Sequence, residues 1–367
     1  MTFYERNQMT ERRPAPSFLP ATAVLEMTYK CNHECIFCSC PWFAPQGEFT
    51  VEREMSVSEW KHVISKLCSM GCVNLAFTGG EPLLKKGIEE IIEFAAGQKV
   101  ELIETEDGKL VSRIIAPKLF LLSNGKIMDN NILGLCRKHN INLSLSLPGL
   151  ETYPDHTCGG GYADDILAWF RLAKEAGVTT TAGITITKKN QHEIFETVSA
   201  ALFAGADTIL LNRFMPGGRG LFHEKELSLQ PEAIPDLLSS VDEILQNSGR
   251  TGSVGTELPY CLLQGRTFKN LTVGARCSAA LDFFVVGPSG YIRVCNHSTK
   301  RLEHVSEIEK LKMNPYWRRF TFKDYLPKQC GNCRDSIICD GGCREAAHIS
   351  GGSIDSPDPL LKSMEWQ

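Results

Sequence analysis

CNHECIFC, residues 31–38, places three cysteines within eight positions, and Cys40 follows two residues later. A structural zinc site usually has four ligands that are arranged in two pairs along the sequence. This C-x3-C-x2-C spacing offers three thiols with no second pair nearby, and Cys40 is too close to Cys38 to serve the same ion comfortably. Three thiolates on a [4Fe–4S] cluster leave one iron free for an outside ligand. The spacing therefore favours an iron–sulfur cluster, with zinc as the alternative.

The composition is that of an ordinary globular chain. Of its 367 residues, 43% are hydrophobic and 22% are charged, and the net charge is -4. These values give no reason to expect nucleic acid or a membrane surface as a partner. No apolar run approaches the roughly 20 residues that span a bilayer, and the N-terminus lacks an apolar signal segment. We expect a cytoplasmic protein, where fifteen cysteines indicate metal ligands or catalytic thiols instead of disulfides.

Strand-like and helix-like segments alternate along the first two thirds of the chain. Six short apolar runs are strand-like: 23–29, 73–78, 118–123, 141–147, 179–187 and 208–214. Five stretches between them have helical spacing: 56–70, 85–96, 126–139, 163–176 and 191–204. Such alternation predicts parallel strands with crossover helices. We predict an α/β fold with a partial (β/α)6 TIM-like barrel at 23–250. The cysteine-containing segment 31–40, called the thiol loop below, is expected at the C-terminal mouth of this barrel.

Other segments interrupt or flank this barrel. Residues 1–22 form an N-terminal extension, and 99–117 predict an inserted β-hairpin turning at Glu106-Asp107-Gly108. The stretch NSGRTGSVG at 247–255 has the composition of a linker. Residues 251–367 are loop-rich and cysteine-rich, so we expect a second domain stabilised by metal more than by a hydrophobic core.

A second motif, FTGGEP at 77–82, closes the second predicted strand. Two consecutive glycines let the backbone approach a ligand closely, and Glu81 offers a counter-charge to an ammonium group. Together with C-x3-C-x-Phe-C, this motif resembles the radical S-adenosylmethionine (radical SAM) superfamily. The resemblance implies a [4Fe–4S] cluster on Cys31, Cys35 and Cys38. It also implies that SAM binds beside Phe37, Thr78, Gly79, Gly80, Glu81 and Pro82.

Two weaker matches follow in the order that the family requires. LLSNGK at 121–126 resembles the third-strand Ser-Asn-Gly of the family, which implies that Ser123 and Asn124 face SAM. SLSLPG at 144–149 resembles the fourth-strand motif and places Ser146 near the SAM ribose or carboxylate, although Pro148 stands where relatives carry Asp. Ordinary strand-end hydrogen bonding is the alternative for these serines.

The C-terminal cysteines form a pattern of their own. Cys277, Gly290 and Cys295 are spaced C-x12-G-x4-C, and a C-x2-C-x5-C-x3-C run follows at 330–343. This pattern resembles the SPASM extension of radical SAM proteins, with a zinc ribbon as the alternative. The resemblance implies one or two auxiliary [4Fe–4S] clusters. Their ligands would be Cys277, Cys295 and Cys343 for one, and Cys330, Cys333 and Cys339 for the other.

Two cysteines of the family pattern are missing from this chain. Phe283 stands six residues after Cys277, where relatives carry a cysteine, and no cysteine follows Cys343. Cys261, in ELPYCLL, could supply the first missing thiol if the chain folds back. Asp335, His348 or Asp355 could supply the second, or an iron could be left open.

The resemblance implies a reaction as well as a fold. SAM is cleaved reductively and anaerobically to methionine and a 5′-deoxyadenosyl radical, which abstracts hydrogen from an unactivated C–H bond. The electron comes from a donor such as flavodoxin or ferredoxin. SPASM relatives mostly modify peptides, so our leading hypothesis is crosslinking, oxidation or epimerisation of a peptide or protein substrate. The alternatives are a small-molecule radical SAM dehydrogenase or epimerase and a non-catalytic iron–sulfur protein.

The sequence assigns no catalytic side chain and few groups to the substrate. Many peptide maturases carry a leader-binding domain before the barrel, whereas the first strand here is predicted at residue 23. Recognition would therefore need a separate leader-binding protein or the 99–117 hairpin. Cys158 could donate a hydrogen atom, and Arg213 and Arg219 could bind a substrate carboxylate. An incidental loop thiol and solvated or salt-bridged arginines are the alternatives.

Overall fold

The structure, a computed structural model, describes residues 18–45, 49, 51–106 and 109–361. Most of the predicted N-terminal extension and the turn residues Asp107 and Gly108 lie outside the described residues. No helix in the described part of the chain has the length and apolar character needed to cross a bilayer.

The described residues contain twelve strands in two sheets. In chain order they are Thr22–Glu26 (β1), Asn74–Thr78 (β2), Val100–Glu106 (β3), Lys109–Ile115 (β4), Lys118–Ser123 (β5), Asn142–Ser146 (β6), Thr180–Ile186 (β7), Thr208–Arg213 (β8), Thr251–Val254 (β9), Leu271–Val273 (β10), Phe283–Val286 (β11) and Ile292–Arg293 (β12).

The α-helices of the described residues cover the barrel and the C-terminal region. They are Val57–Ser69 (α1), Ile88–Ala96 (α2), Asn130–Lys138 (α3), Tyr153–Thr157 (α4), Ala163–Ala176 (α5), Ile194–Ala204 (α6), Glu224–Leu227 (α7), Ile234–Ser248 (α8), Pro315–Thr321 (α9) and Arg344–Gly351 (α10). Local sequence sets their ends. Ser56 and Glu59 form a capping box at the start of α1, and Gly177 ends α5 in the left-handed conformation.

The larger sheet has the order β10-β9-β8-β7-β6-β5-β2-β1-β11-β12. All neighbours are parallel except β11 and β12. Six of these strands, β1, β2, β5, β6, β7 and β8, alternate along the chain with covering helices, as crossover connections require. The predicted α/β fold with a partial (β/α)6 barrel is therefore confirmed.

The segments outside the six repeats give one confirmation and one correction. The 99–117 hairpin is present as β3 and β4, which pair antiparallel from Val100–Ile115 to Glu106–Lys109. The linker predicted at 247–255 is wrong, because α8 runs to Ser248 and β9 then pairs with β8. β9 has little apolar pattern of its own, so its strand conformation comes from this pairing.

Alternation along the strands gives the barrel an outer apolar face and an inner face with polar groups. On β7, Ala182, Ile184 and Ile186 are buried on the outer face, whereas Gly183 and Thr185 line an internal cavity. The thiol loop begins just after β1. It therefore lies at the carboxyl ends of the parallel strands, next to this cavity.

Candidate functional site

The thiols of Cys31, Cys35 and Cys38 lie close enough to influence one another. Burial raises the pKa of Cys31 and of Cys35, and the negative charge of Cys38 adds to both shifts. A hydrogen bond from Cys40 lowers the pKa of Cys38 to about 7. No three His, Cys, Asp or Glu side chains among the described residues converge closely enough to hold a single metal ion.

The glycine-rich motif is bonded through its backbone to the segment that precedes Cys31. Met27 N donates to Thr78 O at 2.8 Å, Gly80 N donates to Thr28 O at 2.9 Å, and Glu81 N donates to Lys30 O at 2.8 Å. A Cβ at Gly80 would lie 2.1 Å from Lys30 O. Only glycine permits this approach, so the motif fixes where the thiol loop begins.

The Glu81 carboxylate is fully buried and serves as an acceptor within the protein. It accepts hydrogen bonds from Ser123 Oγ at 2.9 Å, Asn124 N at 2.8 Å and Leu83 N at 3.2 Å. Burial raises its pKa, and these bonds work against the rise. Ser123 is also buried, with its hydroxyl directed at Glu81. Glu81 and Ser123 therefore join the ends of β2 and β5.

Asn124 extends this network to the thiol loop. Its Nδ2 atom donates to Asn32 Oδ1 at 2.7 Å and lies 3.9 Å from Cys31 Sγ. Asn32 Nδ2 is buried and has no hydrogen-bond partner among the residues described. A buried donor without an acceptor costs about 1–3 kcal/mol. A cluster sulfide or the SAM carboxylate would supply that acceptor, so the loop fits a [4Fe–4S] cluster with SAM.

A cavity of about 110 Å³ opens inside the barrel beside the thiol loop. Its lining residues are Phe37, Leu122, Ser144, Ser146, Pro148, Gly183, Thr185, Leu210 and Asn212. The structure thus brings Phe37 and Ser146 to one cavity, whereas Thr78, Gly79 and Gly80 contact the backbone before Cys31. Pro148 O accepts a hydrogen bond from Asn190 Nδ2 at 2.8 Å.

The segment MPGGRG at 215–220 covers the end of the thiol loop, a contact that the sequence did not suggest. Gly220 N donates to Cys38 O at 3.1 Å, and a Cβ at Gly218 would lie 2.5 Å from Cys38 O and from Cys40 O. The guanidinium of Arg219 lies 3.9 Å from the centre of the Phe43 ring. Its positive charge opposes the rise that burial causes in the pKa of Cys35. In the sequence, the feature that could have indicated this contact is the Gly217–Gly218 pair after the sixth predicted strand.

Two other candidates for substrate contact have different surroundings. Arg213 is buried and forms an ion pair with Asp358, and its Nε atom donates to Glu257 O at 3.2 Å. The carboxylate-binding role suggested for Arg213 is therefore wrong, and the salt-bridged alternative is confirmed. Cys158 is exposed at the end of α4 with a left-handed backbone, φ 52°. Its role as a hydrogen donor stays a prediction.

The C-terminal cysteines fall into two sets, one buried and one near the surface. The thiols of Cys277, Cys295 and Cys343 are buried together, and burial followed by the negative charges around them raises their pKa values. Asp340 accepts from Cys277 N, and Asp358 accepts from Cys343 N, each at 2.8 Å. These buried carboxylates hold the backbone on either side of the set.

The second set contains Cys330, Cys333 and Cys339 on short turns. Cys333 N donates to Cys330 O at 3.1 Å, and Gly341 N donates to Cys339 Sγ at 3.3 Å. Cys261 lies with this set, because its neighbour Tyr260 donates from its backbone N to Cys339 Sγ at 3.3 Å. This contact places Cys261 beside the surface set, and its role as the first missing thiol stays a prediction.

Sequence comparison finds a family match within the barrel region of the chain. The family model described as the radical SAM superfamily matches residues 25–201. The PqqA peptide cyclase of Rhodopseudomonas palustris is 25% identical over 354 residues, which cover 93% of this chain and 86% of that protein. The sporulation killing factor maturation protein SkfB of Bacillus subtilis is 26% identical over 223 residues, 59% of this chain and 48% of that protein.

Structural comparison extends the likeness over nearly the whole chain. SuiB of Streptococcus suis, solved with S-adenosylmethionine, has a TM-score of 0.66 at 14% identity and covers 94% of this chain and 78% of its own. Native anSMEcpe with bound AdoMet has a TM-score of 0.70 at 16% identity, covering 93% and 94%. At these identities the likeness shows a shared fold. With the thiol loop and the glycine-rich motif, the match at 25–201 makes this part of the chain similar to the radical SAM superfamily.

Proposed function

We propose that this chain is a radical SAM enzyme that abstracts hydrogen from a peptide or protein substrate, giving a crosslink, an oxidation or an epimerisation. The observation that carries the proposal is the backbone contact between the Gly79–Gly80 motif and the residues just before Cys31. A carrier of electrons needs a cluster but no such motif beside it. The non-catalytic alternative is therefore disfavoured.

The residues of the site have distinct roles in this proposal. Cys31, Cys35 and Cys38 would hold the cluster, and the backbone at 78–82 would receive the amino group of SAM. When bound, the cluster and SAM supply a radical able to break an unactivated C–H bond. Glu81 and Ser123 act on SAM by positioning Asn124 and the motif, since both side chains are buried.

The cavity side of the site receives the rest of SAM and the substrate. Phe37 and Ser146 line the cavity next to the thiol loop, so we assign them to the nucleoside end of SAM. Arg219 lies over Phe43 beside the loop, where its charge offsets the negative charge of three thiolates. The cavity lies inside the barrel, so the reacting groups would be kept away from bulk water.

The peptide class of substrate rests on the relatives. Those that resemble this chain over most of its length include PqqA peptide cyclases, and SuiB and anSMEcpe have been solved with peptides bound. We propose residues 251–367 as the auxiliary-cluster domain, which removes an electron or binds substrate. A separate leader-binding protein or the 99–117 hairpin would recognise the peptide, and flavodoxin or ferredoxin would supply electrons. A cytoplasmic location agrees with the oxygen-sensitive thiols.

The substrate class is testable by anaerobic co-expression with each short open reading frame beside the gene. We expect one encoded peptide to change in the mass spectrum. A crosslink or oxidation makes it lighter by two hydrogen atoms, and epimerisation introduces deuterium from D2O. The Cys31/Cys35/Cys38→Ala variant is the control and leaves the peptide unchanged. If no encoded peptide changes while free amino acids or sugars do, the small-molecule alternative replaces the peptide proposal.

A further inference from the structure

Cys261 is held at the surface by buried neighbours on the same short helix. The 3-10 helix Tyr260–Leu263 places Leu262 and Leu263 in the core, with exposures of 3% and 4%, while the Cys261 side chain stays exposed. Pro259 precedes the helix, and a Cβ at Gly342 would lie 2.8 Å from its Cγ atom. The segment 259–261 is thus packed against the chain that links Cys339 to Cys343.

Cys339 connects this helix to the surface set of cysteines. Its Sγ atom accepts two backbone hydrogen bonds of 3.3 Å, one from Tyr260 N and one from Gly341 N. Backbone donors on a cysteine sulfur stabilise thiolate charge, as they do at sulfur ligands of iron–sulfur clusters. One of the two donors belongs to the residue just before Cys261.

The four thiols also form one electrostatic neighbourhood. Partial burial raises the pKa of Cys261 to about 11, and the charges of Cys339, Cys330 and Cys333 add to the rise. The corresponding influences on Cys277 and Cys295 come from within the buried set and from Glu257 and Glu345. The backbone hydrogen bond from Tyr260 to Cys339 Sγ agrees with this grouping.

We propose that Cys261 is the fourth thiolate ligand of the auxiliary cluster held by Cys330, Cys333 and Cys339. This set then has four cysteine ligands, and Cys261 comes from an earlier segment of the chain than the other three. The buried set keeps three cysteines, Cys277, Cys295 and Cys343, and one iron of its cluster has no thiolate. The inference rests on the auxiliary clusters of the proposed function.

Most other cysteines lie elsewhere, and two of the candidates named from the sequence, His348 and Asp355, have partners of their own. All fifteen cysteines lie within the described residues. Cys68, Cys72 and Cys136 are buried in the barrel core, and Cys40 lies beside Cys38. His348 Nδ1 lies 3.2 Å from Glu345, and Asp355 forms an ion pair with Arg319. These contacts leave Cys261 as the thiol that meets the surface set.

The test uses the full chain, reconstituted anaerobically with iron and sulfide, in the Cys261→Ala and Cys261→Ser variants. Cys158→Ala is the matched control, because it removes another exposed thiol. We expect both Cys261 variants to lose between about one and four irons per chain and to change the EPR spectrum of one cluster. The control keeps the iron content and spectrum of the wild type. SAM cleavage by the barrel cluster is a separate readout that distinguishes failure of the proposed function.

Double variants identify which cluster Cys261 serves. If it serves the surface set, Cys261→Ala/Cys330→Ala loses no more iron than Cys330→Ala, because both changes remove the same cluster. Cys261→Ala/Cys277→Ala then loses more than Cys277→Ala alone. The reverse pattern would assign Cys261 to the buried set and overturn the proposal. Full iron with an unchanged spectrum in Cys261→Ala, or zinc in the surface set, would overturn it equally.

Discussion

A Gly80→Ala variant is expected to lose the SAM-binding cluster together with reductive SAM cleavage. The added Cβ would meet the Lys30 carbonyl at 2.1 Å for oxygen and 2.6 Å for carbon, and both atoms are backbone. Lys30 immediately precedes Cys31, so relief of the clash must move the thiol loop and break the bond from Glu81 N to Lys30 O. A displacement of about 1 Å at a reacting centre lowers rates by roughly 100-fold.

The matched control for this substitution is Gly134→Ala on α3. A Cβ at Gly134 meets no atom within 4 Å, and alanine in a helix is more favourable than glycine by about 1 kcal/mol. Iron content and 5′-deoxyadenosine formation are measured for both variants after anaerobic reconstitution. Wild-type iron and wild-type SAM cleavage in Gly80→Ala would show that the motif does not position the thiol loop.

An Arg293→Met variant is expected to lose about 3–5 kcal/mol of unfolding free energy, since it leaves a buried charge unpaired. Arg293 and Glu26 are 0% and 2% exposed and form an ion pair between β12 and β1. Arg293 Nη1 also donates to Asn296 O and Ser298 O, each at 2.9 Å. Burial already raises the pKa of Glu26 despite the attraction of Arg293. The ion pair therefore links the β11–β12 hairpin to strand β1 of the barrel.

Urea unfolding followed by far-UV circular dichroism measures this effect. The Glu26→Gln/Arg293→Met double variant is expected to be less destabilised than the sum of the single variants, because neither charge is then left alone. Arg53→Met removes an ion pair whose arginine is 73% exposed, and we expect a nearly unchanged unfolding midpoint. An Arg293→Met protein as stable as Arg53→Met would contradict a structural role for the buried pair.

The sequence predicted the elements whose signals are local. The helix predicted at 163–176 is present with those bounds, since its apolar spacing and the left-handed Gly177 both mark its extent. Strand β9 was missed because Thr251–Val254 is short, contains glycine and becomes a strand by pairing with β8. Strand β11 at Phe283–Val286 pairs parallel with β1, and this pairing is a tertiary contact between distant parts of the chain.

The candidate site also has features that contiguous sequence predicts and features that depend on tertiary contacts. The thiol loop and the glycine-rich motif could be located through their resemblance to family motifs, because each is a contiguous stretch of sequence. Ser123 matches a family motif, yet which neighbour its hydroxyl meets depends on how β5 lies against β2. The placement of Cys261 depends on the core positions of Leu262 and Leu263 and on the hydrogen bond from Tyr260 N to Cys339 Sγ, which are 79 residues apart. No local pattern carries such information.

Reductive SAM cleavage is the measurement that tests the central claim most directly. The full chain is reconstituted anaerobically, and iron, sulfide and 5′-deoxyadenosine are measured for the wild type and for Cys31/Cys35/Cys38→Ala. We predict that the wild type forms 5′-deoxyadenosine, whereas the variant forms none and holds about 4 fewer irons per chain. A wild type that binds zinc in place of iron, or that cleaves no SAM when reduced, would contradict radical SAM chemistry in this protein.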